Sequence, residues 1–253
     1  MIHADRLSLI LSAVLAGLLG LHPIHADYYV ERVFVDDKEH SVAVFPPQDA
    51  QTPSPAILFL HGSGERGDDL DLATREGVPE LRRLLPGAFI IVPQVGSEDW
   101  WTDSQSQALA MASLRQAGER YKLDPARVYL TGISMGGEGA LALAANQPDV
   151  FSSVVVVCAS IGLDRELPEE SKLNSLAEAL AARLAGTRIW LFHGDTDKAV
   201  PVEHARALHT ALSANNDRTR YTELPHSGHN IWKKVYSKAE LGEWLARQSD
   251  HDE

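Results

Sequence analysis

The sequence predicts an α/β protein in which helices cover both faces of a mostly parallel β-sheet. Three observations predict this class. Short, mainly apolar runs alternate with amphipathic stretches along most of the 253 residues. Polar loops follow several of the apolar runs, and a Gly-x-Ser-x-Gly motif joins one apolar run to a helical stretch. The alternation contains no internal repeat, so a single layered domain is expected.

The predicted strands begin with a hairpin. Residues 28–35 and 41–45 alternate apolar and polar side chains around the turn residues Asp36 and Asp37. A final extended run, residues 218–224, is less apolar and is expected nearer an edge of the sheet. Between them lie five short apolar runs that we interpret as buried parallel strands: residues 56–60, 88–92, 127–131, 154–158 and 187–192.

Helical stretches separate these strands. Asp103 is expected to cap the second helix, and Pro148 closes the third. The predicted helices are residues 76–85, 104–121, 135–146, 202–214 and 238–247.

One extra helix is predicted between the strands 154–158 and 187–192. It carries Leu173, Leu176, Leu180 and Leu184 at three- and four-residue steps, a stripe that should pack on the domain. The whole insertion is only about 28 residues, so we expect a short helical cap insertion and an open or lightly covered site.

The first 26 residues predict a signal peptide. Arg6 precedes an apolar stretch, residues 7–21, and the segment ends with the small residue Ala26. An apolar run of about 15 residues is short for a membrane span. We therefore expect cleavage after Ala26, with an uncleaved N-terminal anchor as the alternative; both put the domain, residues 27–253, in the periplasm or outside the cell.

Composition narrows the function classes. The chain has 23 Lys and Arg against 35 Asp and Glu, for a formal charge of −12, and no basic stripe. We therefore expect no nucleic-acid partner and no stable membrane insertion of the mature chain.

Cys158 is the only cysteine, so an internal disulfide is impossible and a buried, inert thiol is expected. The sequence makes no prediction of oligomeric state.

Ser134 is the predicted nucleophile. Gly132 to Gly137 lies between the strand 127–131 and the helix 135–146, which is the setting of a nucleophile elbow. Glycine has no Cβ atom, so glycines on both sides of the serine allow other backbone segments to approach the sharp turn that exposes its hydroxyl. A glycine-rich turn that merely contains a serine is the alternative, and the loops after later strands decide between them.

The later loops supply an acid and a base. Asp195 and Asp197 follow the strand 187–192, and His226 and His229 follow the strand 218–224. The order Ser, Asp, His is that of the α/β-hydrolase triad. We favour Asp197, because Asp195 touches the strand end and suits hydrogen bonds to the turn backbone. We favour His229, because the glycine before it permits a tight loop.

The oxyanion hole is expected to combine two backbone amides. One is the amide of Met135, and the other is Ser63 or, failing that, Gly64, in the glycine-rich loop after the strand 56–60. His61 is expected to support this loop. No metal site is predicted, because no pair of histidines stands at ligand spacing.

Three tryptophans are candidates for the pocket walls. Trp100 and Trp101 follow the strand 88–92 on the expected catalytic side, and Trp232 lies just beyond His229. Together with Gly64 they are predicted to line the substrate pocket, although core or surface packing explains any single tryptophan equally well.

Four segments together resemble a known family: Leu60 to Gly67, the elbow at Ser134, the His-Gly-Asp-Thr-Asp turn with Val200 and Pro201, and Gly228-His229-Asn230 with Trp232. They resemble the dienelactone hydrolase and carboxylesterase/phospholipase branch of the α/β hydrolases. The resemblance is strongest to its secreted members described as predicted peptidases or prolyl oligopeptidase-like esterases, and it spans roughly residues 28–247.

The resemblance implies Asp197 as the acid and His229 as the base. It further implies no cofactor and hydrolysis of carboxylic esters. The chain departs from the family at Glu138, where relatives often carry an aromatic or small residue.

We therefore expect a secreted serine esterase that forms an acyl-enzyme on a small-molecule or polysaccharide-linked ester. The alternatives are a prolyl oligopeptidase-like serine peptidase and a non-catalytic binding protein with a hydrolase fold.

Overall fold

The computed structural model describes residues 27–49, 52–162, 167–214 and 216–247. The predicted signal peptide, residues 1–26, lies outside the described residues. Among the residues that the structure describes, no helix is both long enough and apolar enough to cross a membrane. Eight strands form one sheet: β1 (Tyr29–Val35), β2 (Lys38–Phe45), β3 (Ser54–Leu60), β4 (Phe89–Pro93), β5 (Leu123–Ile133), β6 (Ser153–Val157), β7 (Ile189–Gly194) and β8 (Thr219–Leu224).

The sheet is mostly parallel, as predicted. Its order is β1-β2-β4-β3-β5-β6-β7-β8. The opening hairpin β1–β2 and the β2–β4 pair are antiparallel, whereas every neighbouring pair from β4 through β3, β5, β6 and β7 to β8 is parallel. The less apolar run predicted at residues 218–224 forms β8, which lies at one edge of the sheet. The predicted fold class is therefore confirmed.

Helices follow most of the strands. They are α1 (Leu70–Arg75), α2 (Val78–Leu84), α3 (Ser104–Arg120), α4 (Met135–Asn146), α5 (Leu173–Arg183), α6 (Glu203–Ser213), α7 (Trp232–Tyr236) and α8 (Ala239–Ala246). The sequence prediction missed the two short helices α1 and α7. Asp103 precedes α3 as predicted, but its carboxylate makes no capping bond to the first turn; it accepts a hydrogen bond from the Trp100 amide at 2.7 Å instead.

Two apolar layers cover the sheet, because side chains of buried strands alternate between its faces. In β3, Leu58 and Leu60 pack with apolar residues of α3, α4, α5 and α6. Ile57 and Phe59 face the other layer, with residues of α1, α2, α7 and α8. The helix α5 joins the parallel neighbours β6 and β7.

The leucine stripe of α5 packs on the domain, as predicted. Leu173, Leu180 and Leu184 are buried in the first apolar layer, and Leu176 packs against it. The helix of the predicted cap insertion is therefore part of the core, while residues 163–166 of that insertion lie outside the described residues.

Candidate active site

Ser134 lies in a tight turn between β5 and α4. Its φ of 53° and ψ of −117° place it in a backbone region that non-glycine residues rarely adopt. A Cβ atom at Gly132 would overlap the carbonyl of Gly136, and one at Gly136 would overlap the carbonyl of Leu60. The Ser134 amide donates to the Val157 carbonyl at 2.8 Å. The glycines are therefore required by close backbone packing around a strained serine.

The structure brings the three predicted residues into one hydrogen-bonded chain. Nε2 of His229 lies 2.9 Å from Oγ of Ser134, and Nδ1 of His229 lies 2.7 Å from Oδ2 of Asp197. Asp197 is buried, whereas His229 is partly accessible, with 22% of its side chain exposed. The three residues follow β5, β7 and β8, so the carboxyl ends of parallel strands assemble the site.

Asp197 is surrounded by hydrogen-bond donors. Its Oδ1 accepts from the amides of Ala199 at 2.8 Å and Val200 at 3.0 Å. Its Oδ2 also lies 3.2 Å from Nε2 of His193. Burial acts to raise the pKa of Asp197, but the hydrogen bonds from His193, His229 and Val200 outweigh it and hold the pKa well below its ordinary value. The carboxylate is therefore ionised at neutral pH.

Asp195, the alternative acid, has a different role in the structure. Its Oδ1 accepts from the Ser227 amide at 3.1 Å, and its own amide donates to the Leu224 carbonyl at 3.1 Å. Hydrogen bonds from the amides of His226 and Ser227 lower the pKa of Asp195. Asp195 thus anchors the loop that carries His229, and the exposed His226 lies in that same loop.

The loop after β3 lies against the elbow, as the contact between Gly136 and Leu60 requires. His61 Nδ1 donates to the Gly62 carbonyl at 2.7 Å, and the Glu65 amide donates to the same oxygen at 3.3 Å. These bonds fix the peptide unit that contains the Ser63 N–H. Burial lowers the pKa of His61 to about 4, so its ring is neutral at pH 7 and supports the loop.

The two amides predicted for the oxyanion hole each lie at the first position of a helical segment. Ser63 is the first residue of a 3₁₀ turn, and Met135 is the first residue of α4. An amide at the first position of a helix has no acceptor within that helix, so both N–H groups are available to another acceptor. Gly64 is exposed beside Ser63.

Trp101 does not line a pocket, and this prediction is wrong. Its side chain is fully buried in the apolar core, and its Nε1 donates to the His61 carbonyl at 2.9 Å. Trp100 is only half-buried. Its Nε1 donates to Oε2 of Glu138 at 3.0 Å, and the Arg66 guanidinium lies 5.2 Å from the ring.

Trp232 lies beside the predicted base. Its ring centroid is 6.4 Å from that of His229, at a near-perpendicular angle of 85°. The indole Nε1 donates to Oε2 of Glu76 at 2.7 Å. Trp232 therefore remains near the reacting groups, where a pocket wall was predicted.

The contact of His193 with the triad was not predicted from the sequence. His193 is the last residue but one of β7 and lies four residues before Asp197; the signal available was its place in the His-Gly-Asp-Thr-Asp turn. That spacing does not tell which of several histidines faces the carboxylate.

Among the described residues, no group of three or more His, Cys, Asp or Glu side chains is arranged to hold a metal ion.

A mostly parallel sheet with a strained serine after one central strand, and with a histidine and an aspartate in later loops, is characteristic of an α/β hydrolase. Residues 37–244 match the family model described as "Putative esterase". Because this match covers most of the sequence, the chain belongs to that esterase family.

Two known proteins are similar in sequence to this chain. The chain is 26% identical over 209 residues to a protein of Arthroderma benhamiae described as an uncharacterized secreted protein, with 73% of this chain and 22% of that protein covered. It is 28% identical over 145 residues to an esterase of Mycobacterium tuberculosis, with 57% and 42% covered. The chain thus spans less than half the length of these two relatives.

Among solved structures, a thermostable esterase is similar, with a TM-score of 0.71 and 27% identity over 87% of this chain and 62% of that chain.

Proposed function

We propose that the protein is a serine hydrolase that cleaves carboxylic esters through Ser134, His229 and Asp197. The continuous hydrogen-bonded chain from Ser134 Oγ through the His229 ring to Asp197 Oδ2 carries this proposal. Membership of the esterase family supports it.

The reaction begins with the hydroxyl of Ser134. Because an ionised carboxylate only accepts hydrogen bonds, Nδ1 of His229 carries the hydrogen toward Asp197, and the lone pair of Nε2 faces Ser134 Oγ. Nε2 takes the hydroxyl proton as Oγ attacks the ester carbonyl. Asp197 keeps the ring in this tautomer and stabilises the imidazolium that forms.

The amides of Met135 and Ser63 stabilise the tetrahedral oxyanion. Each such donor contributes about 3–4 kcal/mol to transition-state stabilisation. His61 and Glu65 support this assignment because they fix the peptide unit of the Ser63 amide. Gly64 is the alternative second donor.

The second half of the reaction mirrors the first. The imidazolium of His229 gives its proton to the leaving alcohol, which departs and leaves the acyl group on Ser134. A water molecule then transfers a proton to His229 as its oxygen attacks the acyl carbonyl. Collapse of the second tetrahedral intermediate returns the proton to Ser134 and releases the acid.

The substrate is proposed to be a small-molecule or polysaccharide-linked ester that lies between Trp100 and Trp232. Both aromatic rings are only partly buried, and each is fixed by a hydrogen bond to a glutamate. Action in the periplasm or outside the cell is proposed as well. The predicted signal peptide and the description of one relative as secreted support this location.

Replacement of Ser134 by alanine tests the proposal. We expect hydrolysis of p-nitrophenyl acetate and butyrate to fall by about 10³-fold or more. Labelling by a fluorophosphonate probe should disappear, while the thermal unfolding midpoint should change little. Ser175→Ala, an exposed serine on α5, is the matched control and should keep both activity and labelling.

Retained esterase activity in Ser134→Ala would contradict the proposal. Feruloyl esters and a prolyl peptide in the same assay panel separate an esterase from the peptidase alternative. Faster cleavage of the peptide than of every ester would reject ester hydrolysis as the main activity.

A further inference from the structure

We infer that His193 is a positioning residue, which holds the Asp197 carboxylate in the orientation that His229 needs. The inference rests on the proposed function of Ser134, His229 and Asp197. His193 is near the end of β7, and only 1% of its side chain is exposed. It therefore acts through Asp197 without contact with solvent.

The hydrogen bonds of His193 fix where its proton lies. Its Nε2 is 2.9 Å from the Val200 carbonyl, which only accepts hydrogen bonds. Nε2 must therefore carry a hydrogen. The same nitrogen lies 3.2 Å from Oδ2 of Asp197, so its N–H also interacts with the carboxylate, at a longer distance than with the carbonyl.

Asp197, Val200 and His193 form a closed ring of hydrogen bonds. The Val200 amide donates to Oδ1 of Asp197 at 3.0 Å, while the Val200 carbonyl accepts from His193. Oδ1 also accepts from the Ala199 amide. With His229 and His193 on Oδ2, the carboxylate has four donors, and rotation about its side-chain bonds would break several of them.

A purely structural histidine would need only the Val200 carbonyl as its partner. The second contact, to Oδ2, places His193 on the same oxygen that accepts from His229 at 2.7 Å. His193 therefore shares the negative charge of Oδ2 with His229, and it restricts the movement of that oxygen.

Other titratable groups surround this pair. From the β6 side, burial raises the pKa of Cys158, so it stays a thiol. From α6, burial, and then His193, lower the pKa of His204. On β8, Glu223 is paired in register with His193, and the hydrogen bond from Arg206 lowers the pKa of Glu223, which stays ionised.

Among these neighbours, Cys158 and Glu223 keep their charge states at neutral pH, and the lowered pKa of His204 leaves that ring neutral there. A shift in the acid limb of the activity profile after a change at His193 would therefore report on the Asp197–His229 pair. Without the His193 donor, Asp197 would stabilise the His229 imidazolium more strongly, so the acid limb should move to higher pH.

Two substitutions separate positioning from packing. His193→Leu replaces the ring with an apolar side chain of similar length and removes the donor. His193→Gln places an amide N–H near the position of Nε2. Rates with p-nitrophenyl butyrate are normalised to the fraction of enzyme labelled to completion by a fluorophosphonate, so that a loss of folded protein does not count as a loss of rate.

We expect His193→Leu to lower kcat by about 10-fold with KM changed less than about 2-fold. The acid limb of its kcat/KM profile should move up by about half a pH unit or more. His193→Gln should recover most of kcat and return the limb toward its original position. If His193→Leu does not fold, His193→Asn, whose amide reaches the position of Nδ1, replaces it as the variant without the donor.

The inference is overturned if the variant without the donor has the same kcat and the same acid limb as the original protein. It is also overturned if the kcat of His193→Gln is no higher than the kcat of the variant without the donor. Ser134→Ala, measured in parallel, tests the proposed function separately. An inactive Ser134→Ala together with unchanged His193 variants rejects the positioning role alone. An active Ser134→Ala rejects the proposed function itself.

Discussion

Two buried carboxylates in this protein have full sets of hydrogen-bond donors but different kinds of partner. Glu31 on β1 is 3% exposed and accepts from Arg120 at 2.6 Å, Tyr121 at 2.7 Å and Gln116 at 3.2 Å. Burial, and then the hydrogen bond to Glu31, raise the pKa of Tyr121, which stays a protonated donor. Asp197 accepts instead from amides and histidines.

The difference lies in how each negative charge is balanced. Arg120 is a permanent cation, so the charge of Glu31 is compensated in the resting fold. Within the described part of the chain, the ion-pair partners of Asp197 are His193 and His229 alone. Asp197 faces a full positive charge when His229 takes up a proton during the proposed reaction. A buried carboxylate with a permanent counter-ion thus stabilises structure, whereas one paired with histidines is suited to proton transfer.

The largest expected effect is at Asp197. Asp197→Asn should lower kcat by about 10³–10⁴-fold, because an amide does not stabilise the His229 imidazolium and favours the wrong tautomer. Steady-state kinetics with p-nitrophenyl butyrate measure this loss. Circular dichroism should show a folded protein, and a variant with more than a tenth of the original kcat would remove the distinction drawn between the two carboxylates.

The opposite outcome is expected at the other carboxylate. Arg120→Met leaves the Glu31 charge without its counter-ion and should lower the free energy of unfolding by about 2–3 kcal/mol. In a protein of this size, that loss lowers the melting temperature by about 5–10 °C. The kcat at 25 °C should stay within about 2-fold of the original value; a large loss of kcat in the folded variant would contradict a purely structural role.

A smaller effect is expected at Asp195, the matched control for Asp197. Asp195→Asn weakens the acceptor for the Ser227 amide and loosens the loop that carries His229, so kcat should fall by about 10-fold or less. The same assay compares the two asparagine variants directly. If Asp195→Asn were the more damaging change, Asp197 would not be the triad acid.

The smallest expected effect is on the pH dependence of stability. The pKa of Asp197 is lower in the folded protein than in the unfolded chain, so its stabilisation is fully present above about pH 4 and declines as the pH falls below that value. The difference in unfolding free energy between the original protein and Asp197→Asn should therefore shrink by about 1 kcal/mol between pH 6 and pH 3. Urea unfolding at the two pH values measures it, and a difference that grows would have the wrong sign.

Much of this fold is visible in the sequence because five of its strands are mainly apolar runs buried on both faces of the sheet. Such runs identify strands without any knowledge of their neighbours. The alternating opening hairpin and the less apolar last run complete the eight predicted strands, and all eight are present. The helices α1 and α7 were missed because each spans six residues or fewer. At that length α1 depends on its Asp69 cap, which accepts from the Asp71 amide at 3.0 Å, and not on a periodic apolar face.

Side-chain direction was harder to predict than chain path. Trp100 and Trp101 are adjacent and chemically identical, yet one is half-buried and the other is in the core. Trp101 is the buried one because its indole N–H donates to the His61 carbonyl, a contact that the sequence does not show. The role of His193 was missed for the same reason, because its contact with Asp197 depends on the turn that follows β7.

The two half-buried tryptophans have a consequence for how this protein can change over generations. Their indole N–H groups are fixed by the side chains of Glu138 and Glu76, whereas the glycines around Ser134 are fixed by contacts with backbone. A single codon change at Glu76 or Glu138 removes the hydrogen-bond acceptor of one indole and leaves those backbone contacts in place. Under the proposed function, substrate preference can therefore vary through these glutamates while the glycines around Ser134 stay the same.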